Sequence, residues 1–179
     1  LRNAHYNYVP TITGPGHASI FTGATPKIHG IVANDWPDKT TWKYTYCTYD
    51  EKAEPVGSNS KAKKRSPANC LSSTIGDELK LSSNGKGKVF GVAVKDRSAI
   101  LPAGHAADGA FWFDDSTGAF ISSSWYAKEL PTWVSEFNKQ NKSVTYLKQG
   151  WNTLKPIETY TSSIADKNTY EKSPNGKPE

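Results

Sequence analysis

The chain has 179 residues and a formal net charge of +5, with 36% hydrophobic and 22% charged residues, a balance that suits one globular domain and argues against disorder. Its apolar runs fall short of the roughly 20 residues that a membrane-spanning helix needs. Its basic residues lack the aromatic interleaving or groove-reading motif of a nucleic-acid binder, so neither a membrane span nor a nucleic-acid partner is expected.

Residue 1 is Leu and Met is absent, so the start is expected to be a processed or truncated end rather than a translation start. The first informative segment is Val9-Pro10-Thr11-Ile12-Thr13-Gly14-Pro15-Gly16-His17-Ala18-Ser19-Ile20-Phe21-Thr22-Gly23. It reads as a helix with Pro15 at the first helical position and Gly23 as C-cap. Thr13 then sits on the turn that opens the helix, where first-turn N–H groups favour an anion. A hydroxyl so placed can attack phosphorus once its proton is removed; the plain alternative is a surface turn with a capping Thr. Further on, Asn34 in Gly30-Ile31-Val32-Ala33-Asn34-Asp35-Trp36 offers an amide donor.

Residues 51–67 form a polar stretch in which Lys61, Lys63, Lys64 and Arg65 read as a solvated loop. Cys47 and Cys70 flank it at a spacing that fits no zinc pattern. A disulfide between them is expected to close the loop, stabilising by about 3 kcal/mol on the chain-entropy view, and to imply an oxidising compartment. Two free thiols are the alternative.

Ser66-Pro67 predicts the start of a helix carrying Leu71, Ile75 and Leu79 on one stripe and ending at Asn84-Gly85. Residues 89–94 (Val-Phe-Gly-Val-Ala-Val) then predict a strand buried on both faces. Lys95 and Arg97 follow directly, at the carboxyl end of a strand, where open α/β sheets bind ligands. Arg offers a planar fork to phosphate oxygens and Lys a point charge; the alternative is an internally paired Lys-Asp-Arg turn. Residues 110–114 and 119–123 predict a hairpin around Asp115-Ser116-Thr117-Gly118. Pro131 opens a helix with Trp133, Val134 and Phe137 on its buried side. Beyond Asn138 the pattern weakens, residues 149–179 read as loop that leans on something else, and Ser173-Pro174-Asn175-Gly176 reads as a turn.

The motifs Pro10-Thr11-Ile12-Thr13-Gly14-Pro15-Gly16-His17, Thr22-Gly23, His29-Gly30-Ile31, Asn34-Asp35-Trp36 and Lys95-Asp96-Arg97-Ser98-Ala99-Ile100-Leu101-Pro102-Ala103-Gly104-His105 resemble the periplasmic alkaline phosphatases. These belong to the type I phosphodiesterase and nucleotide pyrophosphatase branch of the alkaline phosphatase superfamily. The likeness runs from about residue 8 to residue 125. The resemblance implies an α/β fold with a large central mixed, mostly parallel sheet between helices, of which this chain is only part. Residues 1–179 would belong to a single catalytic domain, with about 150–179 a loop or accessory segment.

The resemblance also implies phosphate monoester hydrolysis with two zinc ions. Thr13 would be both nucleophile and metal ligand, passing through a phosphothreonine intermediate, with Asn34, Lys95 and Arg97 holding the phosphoryl oxygens. The family's other zinc ligands are an upstream Asp and downstream Asp and His residues, which are expected outside this chain. The four histidines here are His5, His17, His29 and His105; the first motif histidines, His17 and His29, are expected to bond backbone or pack, and His105 to line the cleft. The chain alone is therefore expected to bind zinc poorly and to be inactive. The expected partners are a small phosphate ester and the remainder of the same protein, and the expected location is periplasmic or secreted. Two other readings stand beside this one. One is a phosphodiesterase or nucleotide pyrophosphatase, although those relatives generally lack the Lys-x-Arg pair. The other is a non-catalytic module displaying Trp36, Trp42, Trp112, Trp125 and Trp151 to a sugar or polymer.

Overall fold

A computed structural model describes residues 3, 5–58, 62–149 and 152–164; Lys61, Trp151 and the 173–176 turn lie outside them. The chain divides into two units, residues 1–145 and 146–179. In the first unit, helices α1 (Thr13–Thr22) and α2 (Pro26–His29) each stop at a glycine in the left-handed region, Gly23 at φ 67° and Gly30 at φ 79°. A side chain would be strained there, so these glycines act as helix terminators. A small antiparallel ribbon follows, β1 (Asp35–Pro37) on β2 (Tyr44–Tyr46), with Trp36 opposite Thr45.

The remaining elements build the main layer: β3 (Pro55–Val56), α3 (Ile75–Ser82), β4 (Phe90–Ala93), α4 (Asp96–Ala103), β5 (Gly109–Asp114), β6 (Ala119–Ser123) and α5 (Thr132–Lys139). The sheet order is β3-β6-β5-β4, with β4 and β5 parallel and the other two pairings antiparallel. The parallel pair is joined through α4, as a parallel connection requires a crossover. This is the expected α/β architecture, a mixed sheet between helices.

Strand alternation explains the two layers. On one face Ala110 and Trp112 of β5 and Ile121 of β6 pack with Ala99, Ile100 and Ala103 of α4. On the other, Phe111 meets Trp133 of α5 edge-on at 5.1 Å between ring centres. Gly91 lets α4 lie directly on β4, because a Cβ there would run into the Ala99 carbonyl and come within 2.9 Å of the Ala103 methyl. A second buried cluster, Ala18, Ile31, Cys47, Cys70 and Leu101, welds α1 to α4. Burial of each large side chain in these clusters contributes about 1.5–3 kcal/mol.

The hairpin over residues 115–118 is as expected. Thr117 and Gly118 close it by donating to the Asp114 carbonyl, and Gly118 takes φ 70°. Three expectations are corrected. The helix foreseen from Ser66-Pro67 begins at Ile75, because Thr74 and Asp77 form a reciprocal capping box there, while Cys70 N–H closes a turn on the Pro67 carbonyl. Its stripe of Leu71, Ile75 and Leu79 is exposed. In β4 Gly91 alone is buried, with Phe90 and Val92 exposed, since α5 reaches only part of that face. In α5 Val134 is buried as foreseen, but Trp133 and Phe137 stay half-exposed.

Past Asn138 the chain forms a further helix, α6 (Lys142–Gln149), where only weak patterning was legible. In the second unit, residues 152–164 are exposed with one short 3₁₀ turn, Ile157–Thr159. Residues 165–179 lie outside the described residues. No described helix is long and apolar enough to cross a membrane.

Asp77 is the anchor of α3. Its carboxylate accepts from Thr74 N–H and Oγ1, from the backbone N–H of His105 (2.8 Å) and of Ala106 (2.7 Å), and faces His105 Nδ1. Burial opposes the charged carboxylate, but these donors outweigh it and hold the Asp77 pKa below its ordinary value. A carboxyl with a depressed folded pKa contributes stability above its unfolded value of about 3.9 and loses that contribution as pH falls through the folded value. Asp77→Ala in the full-length protein should therefore lower unfolding free energy at neutral pH by about 3 kcal/mol, several donors being left unpaired. The difference from wild type should shrink below about pH 4. Denaturant unfolding of both proteins across that range checks it, and a difference independent of pH would remove the charged anchor.

Candidate active site

Thr13 occupies the first residue of α1 and is exposed, so the hydroxyl foreseen at the helix start is there. The donors around it differ from expectation. Pro15 is the third helical residue, where its missing N–H still costs nothing. Ile12, not Thr13, is the N-cap residue. Gly16 N–H closes on the Ile12 carbonyl (2.9 Å), and Gly14 N–H is taken by Asn34 Oδ1 at 2.7 Å. Of the first-turn groups, Gly14 N–H is thus spent inside the protein and Pro15 carries none, so a bound anion draws on side-chain donors beside the Thr13 N–H. The Gly14 bond also sets the Asn34 amide, whose oxygen faces the helix end and whose Nδ2 hydrogens are left to offer.

Lys95 is the N-cap residue of α4 and is exposed, with Asp115 as a loose neighbour at 3.9 Å. Arg97 lies in the first turn of the same helix, and both line an open cleft of about 720 Å³ at the carboxyl ends of β4 and β5. Arg97 Nη1 donates to Tyr46 Oη at 2.7 Å, and Tyr46 Oη donates to Asp96 Oδ1 at 2.8 Å. Burial, then the Asp96 charge, push the Tyr46 phenol well above its ordinary pKa, so it stays a neutral hydroxyl. Asp96 also accepts Arg97 N–H (2.8 Å) and pairs with the Nε of buried Arg65. The Arg65 guanidinium stacks over the Tyr46 ring at 4.1 Å. Arg97 Nε is buried and has no acceptor among the described residues.

Two pairs are thereby brought together, Thr13 with Asn34 through Gly14, and Lys95 with Arg97 through one helix start. The packing of α1 on α4 relates them. His17, one turn along α1 from Thr13, has its pKa lowered by burial and then by the Arg97 charge, so it is uncharged at neutral pH. His29 is fully buried, accepts Ile31 N–H at Nδ1 (3.1 Å), and therefore donates from Nε2 to Ser19 Oγ (2.9 Å); it bonds backbone as expected. His105 does not line the cleft. Its ring bridges Asp77 and the Cys70 carbonyl.

Arg65 corrects the solvated-loop reading, because Asp96 and Tyr46 hold it in the interior while Lys63 and Lys64 remain at the surface. No sequence signal marked Tyr46 or Arg65; one is a strand aromatic among nine tyrosines, the other the last residue of a basic run. Trp112 is buried in the core and Trp36 lies half-buried against the second cluster, while Trp125 is exposed and donates from Nε1 to the His105 carbonyl. Trp42 is exposed.

Among the described residues no group of three or more His, Cys, Asp or Glu could hold a metal ion. One exposed hydroxyl at Thr13 does not make a metal cage, so the residues present do not by themselves fit a two-zinc centre.

Cys47 and Cys70 are buried free thiols in one apolar cluster, which corrects the expected disulfide. The Cys70 Sγ–H donates to the Ser72 carbonyl at 3.5 Å. Burial, then the Asp96 charge, push the Cys47 thiol up to about 12, and burial raises Cys70 as well.

An α/β scaffold that presents a helix-start hydroxyl and a strand-end Lys-x-Arg pair carries donors of the kind that phosphoryl oxygens accept from. Residues 1–178 match the type I phosphodiesterase / nucleotide pyrophosphatase family, and the chain belongs to it. The chain is 53% identical over 172 residues to alkaline phosphatase PafA of Elizabethkingia meningoseptica, covering 96% of this chain and 32% of that protein. It is 50% identical over 165 residues to alkaline phosphatase PhoV of Synechococcus elongatus, covering 92% and 30%. It superposes on the crystal structure of wild-type PafA with a TM-score of 0.92 and 52% identity, covering 97% of this chain and 34% of that one. It also superposes, with a TM-score of 0.91 at 49% identity and the same coverage, on a PafA variant in which a Thr is changed to Ser and an Asn, a Lys and an Arg to Ala. The chain spans about a third of the length of these relatives.

Buried thiols with raised pKa values resist alkylation. In the native full-length protein at pH 8, iodoacetamide should leave Cys47 and Cys70 unmodified, and in denaturant without reductant it should label both. Peptide mass spectrometry reads this directly. A Cys47–Cys70 linked peptide would overturn the free-thiol assignment.

Proposed function

We propose that the protein containing this chain is an alkaline phosphatase that hydrolyses phosphate monoesters, with Thr13 as nucleophile. The observation that carries the reading is the Lys95–Arg97 pair on the first turn of α4, next to a carboxylate that is already paired elsewhere, on Arg65. A guanidinium whose neighbouring carboxylate is taken by Arg65, and an exposed ammonium with one loose contact to Asp115 at 3.9 Å, suit a dianionic phosphoryl group. Similarity to PafA and PhoV supports the assignment. So does the PafA variant, whose four altered residues are of the same types and in the same order as Thr13, Asn34, Lys95 and Arg97. The intervals from Thr to Asn and from Lys to Arg also match.

In this reading Thr13 Oγ1 forms a bond to phosphorus while the ester oxygen departs with its electron pair and takes up a proton. Water then cleaves the phosphothreonine, releasing phosphate and restoring the hydroxyl. The Asn34 amide, the Lys95 ammonium and the Arg97 fork hold the non-bridging oxygens, where charge is handled by positioned donors. Family membership implies metal cofactors. Two zinc ions are proposed, with every ligand besides Thr13 outside this chain, and a bound metal supplies the means of lowering a hydroxyl's pKa. A periplasmic or secreted location is proposed on the family resemblance. The family description favours a second reading, diester hydrolysis. A diester carries one charge fewer and needs less of the Lys95–Arg97 pair.

Two expectations test this on the full-length protein with matched aryl monoester and diester substrates. Thr13→Ala should lower monoester turnover by at least about 10³-fold, as loss of a covalent nucleophile does. Unchanged activity removes the nucleophile. Lys95→Ala and Arg97→Ala should each cost the monoester about 30-fold in kcat/KM, the worth of a charge-assisted hydrogen bond, with a much smaller diester loss. Equal losses on both substrates, or a wild-type preference for the diester, would move the assignment to the second reading.

A further inference from the structure

The Lys95-Asp96-Arg97 sequence contains a hazard for anion binding: Asp96 is the nearest carboxylate to Arg97 along the chain. Left alone, its charge would draw the guanidinium away from a phosphate. The structure has Asp96 engaged on every side by other groups. Oδ2 pairs with Arg65 Nε and accepts from Thr48 Oγ1 (3.4 Å), while Oδ1 accepts from Tyr46 Oη and from Arg97 backbone N–H. Arg65 is itself buried, its guanidinium laid over Tyr46. Its backbone carbonyl accepts from Ser123 Oγ of β6, and it forms an isolated antiparallel bridge with Tyr49, so its place is set by backbone contacts as well as by its charge.

We propose that Arg65 is a positioning residue that sequesters the Asp96 carboxylate so that Arg97 remains available to a doubly charged phosphoryl group. Tyr46 is the spacer in this arrangement. Its neutral hydroxyl donates to Asp96 and accepts from Arg97 Nη1, which separates the two charges and aims the rest of the Arg97 fork. The proposal rests on the monoester reading above and adds to it the device that keeps Asp96 from compensating Arg97. Arg is required rather than merely tolerated at position 65, since Nε reaches the carboxylate while the planar group stacks on the ring.

The consequence is selective. Without Arg65, Asp96 recruits Arg97, and the site loses one positive charge toward a dianion but little toward a monoanion. In the full-length enzyme, Arg65→Met should lower monoester kcat/KM by about 10- to 100-fold, the range for one charge-assisted contact, and weaken inhibition by inorganic phosphate in parallel. The diester rate should fall by less than about threefold on the same reasoning. Adding Asp96→Asn to Arg65→Met removes the competing charge and should restore most of the monoester activity and phosphate inhibition. Simple damage to the fold predicts no such rescue.

Tyr46→Phe, which keeps volume and removes only the bridging hydroxyl, should repeat the selective monoester loss even where Arg65→Met folds poorly. Equal losses on both substrates in Tyr46→Phe, or a double variant no better than Arg65→Met alone, would overturn the proposal. Arg97→Ala is the reference. If that variant leaves the monoester-to-diester ratio unchanged, the monoester reading itself has failed, and if it lowers the ratio while Arg65→Met and Tyr46→Phe do not, only the sequestering role has.

Discussion

A carboxylate and a guanidinium held together away from water are costly to desolvate. Such a pair stands only where the remaining hydrogen-bonding capacity of both groups is used. The Asp96 side of the Arg65–Asp96 pair meets that condition. Asp96 collects a phenol, a threonine hydroxyl and a backbone N–H besides its cation, and Arg65 lays its flat face on Tyr46. Loss of one partner from such a pair typically costs about 3–5 kcal/mol, because the other is left charged and unpaired. The pair links three stretches far apart in the chain: the ribbon strand β2, the basic segment before Pro67, and the start of α4. It therefore fixes the place where β4 hands over to α4, and with it the direction of Lys95 and Arg97.

The rest of the site follows from how closely helices can approach. Gly91 allows α4 to rest on β4, and the small residues Ala99 and Ala103 repeat that contact from the helix side. Ala18 and Leu101 then bring α1 against α4. The hydroxyl at the start of one helix and the cations at the start of the other are thus related by rigid packing, not by loops. Asn34 completes the frame by taking the Gly14 N–H that the helix cannot satisfy. Small residues at the helix contacts and polar side chains at the helix ends divide the work between them.

Local chemistry made some of this legible and hid the rest. Gly23 as a helix stop, the Asp114–Gly118 turn and the strand before Lys95 depend on nearest neighbours, and they could be read from the chain. The start of α3 was misread because Ser66-Pro67 and Thr74-x-x-Asp77 are both good helix openings. The second prevails only because Asp77 also gathers the backbone of His105 and Ala106. The apolar stripe of Leu71, Ile75 and Leu79 has the right period yet faces solvent here. Periodicity tells which residues share a face but not what covers it. The cysteines were misread for a related reason. Loop closure by a disulfide is plausible from spacing alone, whereas burial in an apolar cluster favours the neutral thiols found here.

By itself, then, the sequence determined the residue types that can handle a phosphoryl group, the order in which they come, and the helix and strand ends that carry them. Each of these rests on interactions within a few residues. Only the tertiary structure decided which charges remain available. Arg65 looks like its lysine neighbours in the chain, and Asp96 looks like the partner of the arginine beside it. Burial reverses both impressions, because a charge removed from water must find its counter-ion in space, and in space the nearest one to Asp96 comes from thirty-one positions upstream.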